Sequence, residues 1–225
     1  MANYESGNTV EAKNQISFHV AFEGKPDGSP RIMLIGNSIT RHEPAPHIGW
    51  NHDHGMAASK KENDYVHRVI SAVQKKHPDA AFCIVQAAVW ETMYTSCNYD
   101  EYFALAKDFH PDFMLTVISA NIKSDLFEHD AFVREMGKLH EYLSDGNGAK
   151  IIQSTSFFNN EVKTAAIEDY VTRVGGDLVY ISDLPSNDEN LAIGQFEHYG
   201  VSHHPGDKGM ERIAERLLEK LFKYI

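Results

Sequence analysis

Short apolar runs recur along the chain, and a segment with helical spacing follows each of them. The runs are residues 31–36, 80–88, 112–119, 149–154 and 177–182, and the predicted helices are residues 62–76, 99–109, 129–144, 160–173 and 207–223. Compact apolar strands are typical of a sheet that is buried on both faces. Their alternation with helices predicts an α/β fold, in which a five-stranded, mostly parallel sheet carries helices on both faces.

The sequence predicts one domain that is preceded by an N-terminal extension. A length of 225 residues suits a single α/β domain, and residues 31–225 contain no internal repeat, low-complexity tract or linker that divides them. Residues 1–30 form the extension. It begins with a polar stretch and ends in a turn rich in Gly and Pro. Between them, apolar and polar residues alternate weakly over residues 15–22, which allows a short strand.

The charge balance argues against two classes of partner. The chain carries 32 acidic and 21 basic residues, which gives a formal net charge of −11. A nucleic-acid-binding protein needs a basic surface, and an anionic membrane attracts basic segments. No apolar run approaches the length of a membrane span, and the first residues lack the pattern of a secretory signal. We therefore expect a cytoplasmic protein that binds neither nucleic acid nor membrane.

Polar residues follow several of the predicted strands and converge on one edge of the sheet. Ser38 follows the first strand, Glu91 follows the second, Asn121 follows the third, and His204 precedes the last helix. In parallel sheets the ligands bind at this carboxyl edge. An acyl-transfer site needs a nucleophile, a base and donors for the oxyanion. Ser38 fits the nucleophile, because Gly36 allows a sharp turn before it. His204 fits the base, and the Asn121 amide and the Ser38 N–H fit the oxyanion donors.

The same residues carry a resemblance to a known family. Gly36-Asn37-Ser38-Ile39-Thr40 is similar to the first block of the SGNH (GDSL-type) hydrolases, in which Asp is commoner at position 37. Asn121 falls where the third block supplies its Asn, and His204-Pro205-Gly206-Asp207-Lys208-Gly209-Met210 resembles the last block. The resemblance extends from about residue 31 to residue 222, and residues 49–67 look like an uncharacterised bacterial subgroup of the family.

This resemblance implies a flavodoxin-like three-layer sandwich, the SGNH hydrolase fold. It also implies a serine esterase in which Ser38 is the nucleophile, His204 is the base and no cofactor takes part. His203 is the competing assignment for the base. The oxyanion hole would combine the N–H of Ser38, the side-chain amide of Asn121 and a backbone N–H near Glu91, where the second block supplies a Gly.

The chain departs from the family pattern at three places. Val201 stands where the family usually has the Asp that orients the catalytic His, so either a backbone carbonyl holds the imidazole or Glu197 folds in from the same loop. Glu91 stands in place of a Gly, and its carboxylate would oppose an oxyanion unless it is turned away or paired. The third block's Gly is replaced near Ser119, which predicts a differently shaped loop before Asn121.

Other residues near the predicted edge allow further roles. Asn37, Trp90 and His203 are candidates for lining a substrate pocket, although Trp residues are more often part of a core. His47, His52, Asp53 and His54 form a loop that invites a metal site, but the spacing is unspecific and fixes no further ligand. A solvated or pocket-lining loop is the preferred interpretation, and we expect no metal.

The sequence therefore predicts a hydrolase of a carboxylic ester that works through an acyl-Ser38 intermediate. The resemblance implies a small-molecule or carbohydrate ester as substrate, such as an acetylated sugar. Three alternatives stay open: a lipid or thioester hydrolase, a catalytically impaired protein that binds a ligand, and a metal-dependent hydrolase. The oligomeric state is not predicted.

Overall fold

The structure is a computed structural model that describes residues 10–225. Residues 1–9 of the predicted N-terminal extension lie outside the described residues. The strands are β1 Val20–Gly24, β2 Arg31–Gly36, β3 Ala81–Gln86, β4 Phe113–Val117, β5 Lys150–Ser154 and β6 Asp177–Val179. The α-helices are α1 Tyr65–Lys76, α2 Ala88–Met93, α3 Tyr99–Phe103, α4 His129–Ser144, α5 Glu161–Val174, α6 Tyr199–Ser202 and α7 Asp207–Leu221.

The sheet has the strand order β1-β3-β2-β4-β5-β6. Strands β2 to β6 are parallel to one another, which confirms the predicted five-stranded parallel sheet. The sheet has a sixth member, because β1 pairs with β3 in the antiparallel direction. This edge strand lies in the N-terminal extension, where the sequence allowed a short strand over residues 15–22, so the observed strand starts and ends later than expected. The parallel strands alone have the flavodoxin-like order 2-1-3-4-5.

Alternate side chains of the central strands enter two separate cores. Leu34 belongs to the core that α1 and α7 cover, whereas Ile35 belongs to the core that α3, α4 and α5 cover. Burial on both faces explains why β3 is buried at every position and has no polar alternation. The molecule is therefore a three-layer α/β sandwich, as predicted.

Two short helices were missed by the sequence reading. Helices α2 and α6 have six and four residues, which is too short for a helical period to stand out. Both lie at the carboxyl edge of the sheet and carry or adjoin predicted site residues. Among residues 10–225, no helix combines the length and apolar character that a membrane crossing requires.

The strand order reverses between β2 and β4. The strand that follows β2 lies toward one edge of the sheet, and the strands that follow β4 lie toward the other edge. This arrangement leaves a crevice beyond the carboxyl ends of β2 and β4. The turn that carries Ser38 leaves β2, and the loop that carries Asn121 leaves β4. The fold thus brings these two segments together at its topological switch point.

Candidate active site

The turn after β2 is a tight backbone structure. A Cβ atom on Gly36 would lie only 1.8 Å from the Thr40 Oγ1, so no larger residue fits there. The Asn37 carbonyl accepts the N–H groups of Thr40 and Arg41 at 2.9 and 3.0 Å. The Asn37 side-chain oxygen accepts the N–H of Ile39 at 3.1 Å. These bonds fix the backbone on both sides of Ser38, whose side chain is only 1% exposed.

His204 lies directly against Ser38. The distance from Ser38 Oγ to His204 Nε2 is 2.9 Å, and the distance from His204 Nδ1 to the Gly200 carbonyl oxygen is 2.6 Å. Because a carbonyl only accepts hydrogen bonds, the neutral imidazole must carry its proton on Nδ1. Nε2 then presents a lone pair, and the Ser38 hydroxyl donates to it. A serine nucleophile and its base need this arrangement.

Burial holds His204 in its neutral form. The side chain is fully buried, and this desolvation lowers the pKa of His204 to about 4. The Gly200 carbonyl acts in the opposite direction, while the nearby histidines His42, His198 and His203 lower the pKa further. At neutral pH the imidazole is therefore unprotonated and able to accept a proton.

Within residues 10–225, no carboxylate contacts the His204 imidazole. Val201, at the position of the family's usual Asp, is buried in an apolar cluster with Trp50, Met56 and neighbouring residues. Glu197 is exposed, and the partner of His204 Nδ1 is Gly200, so the expectation that Glu197 folds in as the acid is wrong. The structure has the other arrangement that the sequence left open, a Ser-His pair held by a backbone carbonyl.

Glu91 is also placed differently from the sequence expectation. Its backbone N–H donates to the Ala87 carbonyl at 3.1 Å, because the residue lies inside α2. The helix therefore uses the group that was expected to donate to the oxyanion. The carboxylate is 1% exposed and accepts three hydrogen bonds, from the Asn37 amide at 3.0 Å and from the Ser119 N–H and the Asn121 amide. Burial raises the pKa of Glu91, and these donors act against that effect.

The structure brings Asn121 to the site through this carboxylate. One hydrogen of the Asn121 Nδ2 is directed to Glu91, and an amide nitrogen carries a second. The Ser38 N–H makes no hydrogen bond within residues 10–225. These two N–H groups stay candidates for the predicted oxyanion hole, for which the sequence expected three donors.

Two functional candidates were missed at the sequence level. The Gly200 carbonyl gave no signal, because its role depends on the short helix α6. The position of Lys163 is a signal that the sequence contained. The residue belongs to the buried stripe of α5, where a lysine is unexpected, together with Ala166, Ile167, Tyr170 and Val171. Its ammonium lies under the loop that carries Asn121.

The candidates for a substrate pocket divide in the structure. Trp90 is fully buried and packs against Tyr94 and Phe132, so it is part of the core. Asn37 is also buried, and its side chain is used within the turn. His203 is partly exposed and stacks on Tyr199 with 3.8 Å between the ring centroids. Of the three, His203 alone is not buried.

A cavity of about 530 Å³ adjoins the oxyanion side of the site. Its lining includes Glu91 and Asn121, apolar residues of α2, and residues 10–13 of the N-terminal extension. Ser38 and His204 do not line it, and both are almost completely buried. The cavity is therefore a candidate for holding part of a substrate next to the reacting groups.

The histidine-rich loop does not gather ligands around one point. Asp53 forms a two-pronged ion pair with Arg41 at 2.8 and 2.9 Å. The rings of His52 and His54 stack at 5.2 Å, and His47 is exposed. Within residues 10–225, no group of three or more His, Cys, Asp or Glu residues is arranged to hold a metal ion.

Comparison with solved structures identifies the fold. An esterase, EstA, from Pseudoalteromonas sp. superposes with a TM-score of 0.59 at 12% identity over 87% of this chain and 98% of the other. A G-D-S-L family lipolytic protein from Veillonella parvula gives 0.52 at 12% identity, over 87% and 99% of the two chains. A two-domain esterase active on acetylated mannans gives 0.53 at 16% identity, and this chain, covered over 86%, spans 49% of that protein.

These similarities confirm the fold that the sequence resemblance implied, that of the SGNH hydrolases. The identities are low, so they establish the architecture and not a substrate. No family model matches the chain, and no curated protein matches it either.

Proposed function

We propose that this chain is a serine esterase that hydrolyses a carboxylic ester through an acyl-Ser38 intermediate. The observation that carries the proposal is the 2.9 Å contact between Ser38 Oγ and His204 Nε2, with the imidazole proton fixed on Nδ1 by the Gly200 carbonyl. Its neutral state at physiological pH follows from burial. A buried serine that donates to a neutral, oriented imidazole is prepared for nucleophilic attack.

The reaction has two halves. His204 Nε2 accepts the Ser38 proton while Oγ attacks the ester carbonyl, and the resulting oxyanion receives the Ser38 N–H and the free N–H of the Asn121 amide. His204 then gives the proton to the leaving alcohol, which leaves an acyl-Ser38 ester. A water molecule repeats the sequence in the second half: His204 removes its proton, and the acid is released with Ser38 restored.

Among the described residues the partner of His204 Nδ1 is a carbonyl and not a carboxylate, which has a kinetic consequence. When His204 accepts the proton it becomes a buried cation, and the Gly200 carbonyl stabilises that cation less than a carboxylate does. The two-donor oxyanion hole acts in the same direction, because each donor contributes roughly 10²–10³-fold to kcat in related sites. We therefore expect turnover slower than that of a full triad. The proposed reaction needs no cofactor.

Small acyl esters of carbohydrates are the substrate class that we propose. One of the proteins that shares the fold is active on acetylated mannans, and the cavity of about 530 Å³ beside Asn121 has room for a sugar residue. Cytoplasmic location and the lack of a nucleic-acid partner stay predictions from the sequence.

A catalytically impaired, ligand-binding protein is the second candidate. The observation that favours it is the burial of the reacting pair, since Ser38 is 1% exposed and His204 is not exposed at all. An ester must reach Ser38 through a rearrangement of the side chains that cover it, and a protein that has lost activity would have no need to allow one.

A fluorophosphonate probe and an aryl acetate distinguish the two candidates. We expect the wild type to be labelled and to hydrolyse the ester, and the Ser38→Ala variant to do neither, with kcat reduced by about 10³-fold or more. The same assay on acetylated and deacetylated oligosaccharides tests the substrate class. A wild type that is folded but neither labelled nor active contradicts the esterase and favours the binding protein.

A further inference from the structure

The carboxylate of Glu91 joins three segments of the candidate site. It is carried by α2 and accepts hydrogen bonds from Asn37 in the turn after β2 and from Ser119 and Asn121 in the loop after β4. The first of these residues precedes the nucleophile, and the last carries an oxyanion donor. A carboxylate buried to this extent must be compensated by hydrogen bonds or charge.

Lys163 holds the same loop from the other side. Its side chain is 2% exposed, and the ammonium donates to the Ser119 carbonyl at 3.1 Å and to the Ile122 carbonyl. Glu91 thus takes the N–H of Ser119, and Lys163 takes its C=O. Their opposite charges also attract one another through the loop. The residue between them has an unusual backbone, with a φ of +97° at Ser119 that side chains other than Gly rarely adopt.

Burial raises the pKa of Glu91, but its three hydrogen-bond donors and the Lys163 ammonium favour the ionised form, and an ionised carboxylate restricts which way its partners can point. It only accepts hydrogen bonds, so both Asn37 and Asn121 must direct an amide nitrogen, and not an amide oxygen, toward Glu91. The Asn37 oxygen confirms this orientation independently, because it accepts the Ile39 N–H at 3.1 Å. At Asn121 the consequence is larger, since the orientation of its amide decides whether the site offers an N–H or a C=O to the oxyanion.

We infer that Glu91 is the positioning residue of the oxyanion hole: together with Lys163, it holds the strained loop and fixes the Asn121 amide with its donor toward the reaction. This inference rests on the proposed esterase function. It replaces the role expected for position 91, in which the backbone N–H itself would be a donor. Glu91 acts through Asn121 and does not contact the substrate carbonyl.

A donor-acceptor exchange tests the inference. In Glu91→Gln the new amide nitrogen faces the Asn121 nitrogen, and the Asn121 amide must turn over. In the double variant Glu91→Gln/Asn121→Asp the hydrogen bond and the total charge are restored with the roles reversed, but position 121 no longer has a donor. Glu135→Gln is the matched control, because Glu135 is a buried glutamate of α4 that pairs with Arg134 and Lys138 at 2.9 and 3.0 Å.

We expect Glu91→Gln to lower kcat by about 10²-fold, the effect of losing an oxyanion donor, with KM changed less than about threefold. The double variant should regain the Tm of the wild type but not its kcat, and Glu135→Gln should retain both. If the double variant recovers kcat together with Tm, or if Glu91→Gln keeps kcat within about threefold, Glu91 is merely structural and the inference is wrong.

A second measurement does not depend on catalysis. In ¹H–¹⁵N spectra the side-chain amide signals of Asn37 and Asn121, assigned from the Asn→Asp variants, should shift in Glu91→Gln and stay in place in Glu135→Gln. Unchanged Asn121 signals overturn the inference. If the wild type lacks Ser38-dependent hydrolysis, the proposed function fails, and these signals still decide whether Glu91 orients the amide.

Discussion

The two halves of the candidate site are held by different kinds of interaction. In the reacting half, Ser38 and His204 are oriented by neutral partners, the last of which is the Gly200 carbonyl. In the oxyanion half, Asn121 and its loop are oriented by a buried carboxylate and a buried ammonium, Glu91 and Lys163. The SGNH pattern that the sequence resembles has the reverse distribution, with an acid behind the base and a Gly in the oxyanion half.

The two halves therefore differ in whether buried charges lie next to them. A charge behind the base stabilises the imidazolium that forms during the reaction, whereas charges behind the oxyanion loop fix donors before the reaction starts. Within residues 10–225, buried charges support the oxyanion half of the candidate site and not the reacting half. We therefore expect the protonated form of His204 to be weakly stabilised, and the loop that carries Asn121 to be rigid and sensitive to loss of either ion.

The largest effect should come from the reacting half. His204→Ala removes the group that accepts the Ser38 proton, so kcat/KM for an aryl acetate should fall about 10³-fold or more while the fold is retained. Glu197→Gln is the control, because Glu197 is exposed and the His204 Nδ1 is bonded to Gly200. A drop of tenfold or more in Glu197→Gln would show that a carboxylate does support the base, and the contrast between the halves would disappear.

The next effect concerns stability in the oxyanion half. Lys163→Met leaves two carbonyls without their donor and Glu91 without the attraction of the ammonium. We expect the free energy of unfolding, measured by denaturant, to fall by about 3 kcal/mol or more. Lys138→Met, which breaks an ion pair of a lysine that is largely exposed, should cost less than about 1 kcal/mol.

A double-mutant cycle sharpens this prediction. The effects of Lys163→Met and Glu91→Gln on unfolding should not add, because the two ions bind the same loop and attract one another through it. Strict additivity within about 0.5 kcal/mol would show that the two ions hold the loop independently. The oxyanion half would then be two separate contacts and not one unit.

The pH dependence tests the state of the base. The pKa of His204 is lowered to about 4 by burial, so the imidazole accepts a proton from Ser38 at all higher pH values. The rate of labelling by a fluorophosphonate should be level from pH 7 down to about 5, and should then approach a tenfold loss per pH unit below 4. An acid limb at pH 6 to 7 would indicate an imidazolium stabilised by a carboxylate, contrary to the observed partner.

The same pKa predicts a change in stability. The unfolded chain binds a proton at a histidine pKa near 6.5, whereas folded His204 binds one only near 4. Acid therefore favours unfolding, and the contribution of His204 to stability is lost progressively as the pH falls from about 6.5 to about 4. The wild type should lose more Tm than His204→Ala over this interval.

The smallest effect is expected at Ser119. Its φ of +97° suits glycine, and its buried hydroxyl has no hydrogen-bond partner within residues 10–225. Ser119→Gly should therefore raise the free energy of unfolding by about 0.5–1 kcal/mol without changing kcat more than about twofold. A loss of stability would mean that the side chain, and not the two ions, holds the loop in place.

Much of the architecture could be read from the sequence. The apolar runs predicted the parallel strands within about two residues of their observed bounds, except that β6 ends at Val179 and not at residue 182, because burial on both faces leaves a pattern without polar interruptions. Helix α4 was predicted at its observed bounds. The sequence also placed Ser38, Glu91, Asn121 and His204 at one edge, since parallel strands bring their carboxyl ends together.

What only the tertiary structure decided is which atom serves which partner. The sequence named Glu91 but assigned it a backbone N–H, because the six-residue helix α2 that occupies this N–H has no readable period. It left the partner of His204 open between Glu197 and a carbonyl, and helix α6 supplied the carbonyl. Hydrogen-bond partners and buried charges depend on directions and distances between segments far apart in the chain, and these exist only after the segments have packed.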